Sequence, residues 1–518
     1  MPDSTRFRGP LGLVIACIVC LALGAALALP FRAPRDAGDH YAALADTPFP
    51  GGSPDAEASR PLSEELTFQR ATQAYLWAMP LLNTMGMRDG IGSPATYNTM
   101  TLWEKRLDAK TLIATPNSDL IYGMTFVDLA KTGPLVFEAP RGLQGILLDF
   151  WQRPIPMDGG EFAGDVGLPG PDAGAGGRFL ILPPGYEGDV PPGHYVYRSG
   201  TNNVFVFLRS FYKSLDDLSP AVNLLKQAVL YPLGGRETAA PMHFVDASDT
   251  AHNMLPRTDA TAFDQLKYLV DTEGSALADP DHRGLLAAIG IAKDRPFAPD
   301  PDTRALLDKA ARTAYKTSRV IGMQDRIGDT SLRVYPDRQW ANPFNNRNAV
   351  WPDTPVDLNF SNRSTGSTAI DARVWYFTNY YSISPGMVSR TPGRGAFYLV
   401  GFTDRDGTPL NGSSHYRVTL PPNIPAALFW SLTLYDAENA SGLANGQPFP
   451  SLGALNNPQR NSDGSTTLYI GPTAPAGQER NWLATVPGRD FFSLLRLYAA
   501  LEPALDGSWK PSDFEKIG

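Results

Sequence analysis

Thr115–Leu129 reads TPNSDLIYGMTFVDL, and its reading decides the fold. The apolar run that follows Asp119 has the β-branched and aromatic make-up of a strand. Asn117 and Asp119 stand at its mouth. In an extended segment residues two apart face the same side. An amide and a carboxylate so placed orient a hydroxyl-rich ligand or a water, or hold Ca²⁺ together with backbone oxygens. Pro116-Asn117-Ser118-Asp119 equally fits a turn whose side chains bond their own backbone. Tyr122, on the same stretch, joins the candidate ligand-binding residues.

Similar runs follow. PLVFEAP (134–140), GILLDFWQR (145–153), RFLILPP (178–184), HYVYRSG (194–200) and NNVFVFLRS (202–210) are short, apolar and bounded by Gly or Pro, as strands are. GEFAGDVGLPGPDAGAGG (160–177) reads as a flexible excursion or lid. Upstream, SEELTFQRATQAYLWAMP (63–80) has helical spacing up to Pro80, which ends or kinks it. Helical patterns return between about 210 and 326. Strands resume after 330. AFYLVGFTDRDG (396–407) and SSHYRVTLP (413–421) read as a hairpin with Asp406-Gly407 at its turn. An α+β, β-rich fold is therefore expected, with a β-rich domain over 63–209, a helical connecting region over 210–329 and a second β-rich domain over 330–518.

The 518 residues allow two or three domains, and 43% are apolar. The 48 glycines and 47 prolines point to many turns. Net charge is −8 and no Lys/Arg block stands out, which argues against nucleic acid as a partner. Residues 1–10 form a short basic segment with Arg6 and Arg8. Leu11–Leu29 is uncharged and approaches the roughly 20 residues of a membrane-spanning helix, although Ala26-Leu27-Ala28 is also a site for signal peptidase. Residues 30–62 read as a disordered linker. A cell-envelope protein is expected, anchored in the inner membrane with its body in the periplasm, or released there if the N-terminus is cleaved. Both cysteines, Cys17 and Cys20, lie in the apolar run. The remainder has no thiolate nucleophile and no disulfide.

TPNSDLIYGMTFVDL, DPDHRGLLAAIGI (279–291) and the ordered C-terminal series FWSLTLYD, DGSTTLYIGP, NWLATVPGRDFFSLLRLY and GSWKP resemble a bacterial pairing of two domains of unknown function, with catalogue numbers 1254 and 1214. The resemblance runs over roughly 65–517. After Trp482 the chain reads Leu-Ala-Thr where Leu-Pro is usual. The resemblance implies exported or anchored proteins with antiparallel β-sandwich, jelly-roll-like domains joined by helices. It implies no agreed reaction.

Candidate chemistry comes from the residues. H-E-x-x-H, G-x-S-x-G and G-x-G-x-x-G are all absent, which removes the familiar zinc proteases, α/β-hydrolases and Rossmann enzymes. If GILLDFWQR is a strand, Asp149, Trp151 and Arg153 share one face, suited to a polar ring or an anion, or to a structural Asp149–Arg153 pair. Asp119 and Asp149 on neighbouring strands make a candidate acid/base pair, as in glycoside hydrolysis. Arg496, inside FFSLLRLY, needs partners if buried, with Asp436 as one candidate. No metal site and no cofactor are expected. The leading expectation is a hydrolase-like enzyme acting on a glycan or another polar, hydroxyl-bearing molecule. Its rival is a non-catalytic binding or assembly module, with VWYFTNYYSIS (374–384) as a recognition or homo-oligomer surface.

Overall fold

The structure is a computed structural model that describes residues 39–274, 277–323, 333–342, 359–361, 366–388 and 390–517. The expected membrane segment at 11–29 lies outside the described residues, and among these no helix is long and apolar enough to cross a membrane. The chain divides into two units, one up to Leu66 and one from Thr67. The first is not wholly a linker: it contains helix α1 (His40–Ala45), capped by Asp39, and the first turns of α2 (Ala56–Trp77).

The second unit is α+β. Its first half holds strands β1 (Thr99–Leu102), β2 (Thr111–Leu112), β3 (Ile121–Asp128), β4 (Leu135–Ala139), β5 (Gln144–Asp149) and β6 (Asp165–Val166). Then come β7 (Gly177–Leu182), β8 (Tyr195–Arg198), β9 (Asn203–Ser210), β10 (Val229–Pro232), β11 (His243–Asp246) and β12 (His252–Asn253). Six of them form a sheet in the order β11-β1-β3-β9-β5-β6, and four form another, β10-β4-β7-β8. β3 is buried along its whole length because both of its faces are covered. Ile121 and Val127 point into an apolar cluster shared with the four-stranded sheet. Tyr122, Met124 and Phe126 point the other way, into the largest core.

The middle of the chain is less purely helical than its pattern suggests. β10, β11 and β12 return to pair with β4, β1 and β2. Helices α3 (Met79–Gly90), α4 (Thr261–Glu273), α5 (Pro280–Ala287), α6 (Pro301–Gly322) and α7 (Ile370–Asn379) pack around the largest core. Pro80 does not simply end a helix. It sits at the start of α3, where its missing N–H is harmless.

The second half holds β13 (Ala396–Gly401), β14 (His415–Leu420), β15 (Trp430–Asp436), β16 (Ser451–Gly453), β17 (Thr466–Gly471), β18 (Trp482–Ala484), β19 (Phe491–Tyr498) and β20 (Glu515–Ile517). Their orders are β13-β19-β15-β16 and β18-β17-β14-β20. β13 and β14 are therefore not a hairpin. The turn at Asp406-Gly407 forms, closed by the Gly407 N–H on Asp404 O at 3.0 Å, but it carries the chain from one sheet to the other. Alternate residues of β13, β15 and β19 enter two cores: Leu399, Leu432 and Leu495 face the second sheet, whereas Tyr398, Tyr435 and Leu494 face the largest core.

Two sequence readings change here. The 160–177 loop is tied down by β6 and by Asp172, whose carboxylate accepts the N–H groups of Gly167 (2.7 Å) and Gly176 (3.0 Å). VWYFTNYYSIS is not a surface: Tyr376, Phe377, Tyr380 and Tyr381 are buried.

Candidate functional site

Apart from Asp436, the site residues named from the sequence fall into two separate centres. The first is the seam where Thr115–Asp119 meets the C-terminal sheet. Asn117 Oδ1 accepts the Asp119 N–H at 2.8 Å, an Asx turn. The other end of the amide faces outward from that turn, and its Nδ2 donates to Tyr498 Oη at 2.5 Å. The Asn117 N–H donates to Tyr122 Oη at 3.2 Å. Asp119 is buried and fully engaged: Arg106 Nη2 lies 3.2 Å from Oδ1, and Ser451 Oγ donates to Oδ2 at 2.8 Å. Arg496 donates to Tyr435 Oη (2.6 Å), Thr433 Oγ1 (3.2 Å) and Thr115 O (3.0 Å). Burial holds the phenols of Tyr122, Tyr435 and Tyr498 above their ordinary range, so all are neutral. Such a network joins two sheets by leaving few buried groups unmet.

Asp436 is not the partner of Arg496. Arg489 pairs with it instead, and its Oδ1 accepts the Glu438 N–H at 2.8 Å. The register explains this: Arg496 is opposite Ser431, and Asp436 is opposite Phe491 at the far end of the ladder.

Asp119 and Asp149 do not form the expected carboxylate pair. β3 and β5 both pair with β9, where Ile121 is level with Ser210 and Asp149 with Val204. Six residues of β9 separate the two levels, roughly 20 Å at ~3.4 Å per residue. Acid/base carboxylates that share one glycosidic bond stand about 5–10 Å apart.

The second centre gathers Asp149, Trp151 and Arg153, though not as one strand face. β5 ends at Asp149, and the chain turns through Gln152, whose φ is 60°. This brings Arg153 back onto Asp149, with Nε donating to Oδ2 at 2.7 Å and the Arg153 N–H to Oδ1 at 3.0 Å. Burial pushes the Asp149 carboxyl up, and the Arg153 charge and hydrogen bonds draw it back. Gly200 lies beside the pair, where a Cβ would stand 3.2 Å from Arg153 Nη2.

Trp151 and Arg153 open onto a cavity of about 270 Å³, lined also by Trp77, Gln152, Asp279 and Arg373. Its aromatic wall is built edge to face, with the Trp77 and Trp151 rings 4.9 Å apart. Trp151 is fixed by its indole N–H on Leu277 O at 3.2 Å. Two guanidinium groups flank that indole, Arg153 at 5.9 Å and Arg373 at 5.6 Å from the ring. At the rim Asp279 is bonded to His282 at 2.7 Å, and the His282 ring stacks on Trp77 at 4.8 Å. Arg373 differs from Arg153. Its Nη2 donates to Trp77 O at 3.1 Å, its buried Nε has no hydrogen-bond partner, and no carboxylate pairs with it among the described residues. Burial and then the Arg153 charge lower it to about 10, so it is charged at neutral pH.

Trp77 and Arg373 were not singled out from the sequence. Trp77 ends an amphipathic helix and Arg373 begins one, so each reads as ordinary patterning. Among the described residues no group of three or more His, Cys, Asp or Glu is arranged around a metal ion. A larger open groove of about 1100 Å³ crosses the outer face of the β4/β7 sheet. There Glu138 is already bonded by Tyr231 (3.1 Å) and Arg236 (3.0 Å).

The fold and seam define a protein of two sheet-based domains that share one core. Residues 97–232 match DUF1254 and residues 395–502 match DUF1214, each a protein family of unknown function. The chain thus carries both domains. The seam joins one to the other, since Thr115, Asn117 and Asp119 lie in the first match and Tyr435, Ser451, Arg496 and Tyr498 in the second. The VPA0106 protein from Vibrio parahaemolyticus has a similar fold at 17% identity and a TM-score of 0.51, covering 87% of this chain and all of that one (100%). An uncharacterized protein from Burkholderia cenocepacia aligns at 12% identity and a TM-score of 0.41, over 87% of this chain and 94% of that one. No curated protein matches the chain.

Proposed function

We propose that this is an exported cell-envelope protein that binds a small polar molecule in the Trp77–Trp151 cavity and does not turn it over. One observation carries the reading: the cavity has an aromatic wall and charged walls, while the carboxylates nearest to acid/base chemistry are held in ion pairs. Its volume of about 270 Å³ is close to the lower end of ligand pockets, ~300 Å³. Export is supported by the basic start and the apolar run to Leu29. The same reading takes each domain as a jelly-roll-like β-sandwich, supported by the apolar cluster that each pair of sheets shares.

The test is tryptophan fluorescence of the purified protein titrated with glycans and small hydroxylated or charged metabolites. Binding is expected to change the Trp151 signal, to vanish in Trp151→Phe, and to return the ligand chemically unchanged. Conversion of a ligand that is lost in Asp149→Asn would restore the hydrolase reading. Cell fractionation with mass spectrometry of the mature N-terminus tests export, and a cytoplasmic protein with an intact N-terminus sinks that part.

A further inference from the structure

Among the described residues the cavity's two guanidinium groups are unequally paired, and the unpaired one names a ligand class. Arg153 is neutralised by Asp149, and Asp279 at the rim is bonded to His282 and to neither guanidinium. Arg373 has no carboxylate partner among the described residues. A guanidinium has five N–H donors, and among the described residues one of those of Arg373 has a bond, to Trp77 O. Its Nε is buried without a partner. A half-buried cation without a counter-charge is costly, because burial disfavours the charged form. A role in packing alone does not call for a guanidinium here: an apolar side chain of the same length would pack against Trp151 without that cost. The second guanidinium, flanking the same indole, adds repulsion. Both costs are relieved by one event, the arrival of a negative group.

Building on the binding reading above, we infer that the ligand is an organic oxyanion. Its carboxylate or phosphate is bonded to Arg373 and attracted by Arg153, and its flat apolar part lies against Trp77 and Trp151. Guanidinium edges match both oxyanions in geometry. The indoles supply the apolar wall that a free inorganic anion would not need.

The experiment uses the full chain and three probes that share a phenyl ring: benzoate, phenyl phosphate and benzamide, the neutral isostere of benzoate. Titration is followed by Trp fluorescence and by the thermal midpoint. Benzoate, phenyl phosphate or both are expected to bind at least tenfold more tightly than benzamide and to raise the midpoint, and the tighter of the two identifies the oxyanion. Arg373→Met is expected to lose tenfold or more in anion affinity while its own midpoint without ligand stays the same or rises. Arg373→Lys should keep part of the affinity. Two results overturn the inference in distinguishable ways. Benzamide binding as well as benzoate, with loss in Trp151→Phe, removes the anion class and leaves the cavity as a binding site. Binding of none of the three probes, or binding untouched by Trp151→Phe, removes the cavity reading as well.

Discussion

The seam and the cavity are built from the same residue types, arginine, aspartate and aromatic rings, and differ in how far their hydrogen bonds are met. In the seam Arg496 is buried and Arg106 half-buried, and both are bonded on several sides, Arg106 to Asp119 and Ser118 O and Arg496 to Tyr435, Thr433 and Thr115 O. In the cavity Arg373 keeps a buried Nε without a partner. Satisfied buried polar groups hold a structure in one arrangement, and unsatisfied ones cost stability until something binds them. The difference teaches that residue type does not separate an architectural centre from a binding centre, whereas the completeness of the bonding does.

Four substitutions bear on that contrast. The largest effect is expected at Arg106. Arg106→Met strands the buried Asp119 charge and should cost ~3–5 kcal/mol in chemical denaturation. A loss below about 1 kcal/mol would show that the seam is not architectural.

Asp165 is next. It lies in β6 and accepts the Gly386 N–H at 2.7 Å, so it ties the first domain to the segment that leads into the second. Burial pushes its carboxyl up to about 6, against the pull of the Ser384 hydroxyl, the Gly386 N–H and the Arg209 charge. The folded protein thus holds a proton that the unfolded chain releases at its ordinary value of 3.8. This contribution is full below that value and is lost as pH rises through about 6. Asp165→Asn should therefore match the wild type near pH 4 and exceed it at pH 7.5 by on the order of 2–3 kcal/mol. Parallel stability curves for the two proteins across this range would contradict it.

Tyr498→Phe removes the acceptor of the Asn117 amide. It should cost about 1–2 kcal/mol, read as a lower thermal midpoint with unchanged probe binding in the cavity. The smallest effect, opposite in sign to those of Arg106→Met and Tyr498→Phe, is expected from Arg373→Met, whose stability should be unchanged or higher by about 1 kcal/mol. If Arg373→Met were as damaging as Arg106→Met, the contrast between the two centres would disappear.

Much of this was legible in the chain, for local reasons. β3, β5, β7, β9, β15 and β19 are all short apolar runs bounded by turn residues. Asn117 and Asp119 were read as either a turn or a polar site, and they make an Asx turn whose spare amide reaches Tyr498. Asp149, Trp151 and Arg153 do come together, but through a left-handed turn at Gln152 that strand periodicity does not show. What the sequence hid was long-range. β13 and β14 have the spacing of a hairpin, yet each pairs with strands much later in the chain. The tyrosines after Trp375 have the composition of a sticky surface and are buried because they lie in the largest core, among side chains from both halves of the chain. Trp77 and Arg373 meet from positions almost 300 residues apart, and no local pattern marks either.

β19 has one more consequence. Among the described residues it is the seventh of eight strands in the second half, and it lies between β13 and β15, which do not pair with each other. Until β19 is in place, both neighbours have a bare edge, the kind of edge that recruits other chains. The sheet is closed by a strand inserted between two that come before it in the chain, and such long-range pairing folds slowly for reasons of topology. A chain without residues 491–498 loses the middle of its sheet, with far greater harm than eight residues suggest.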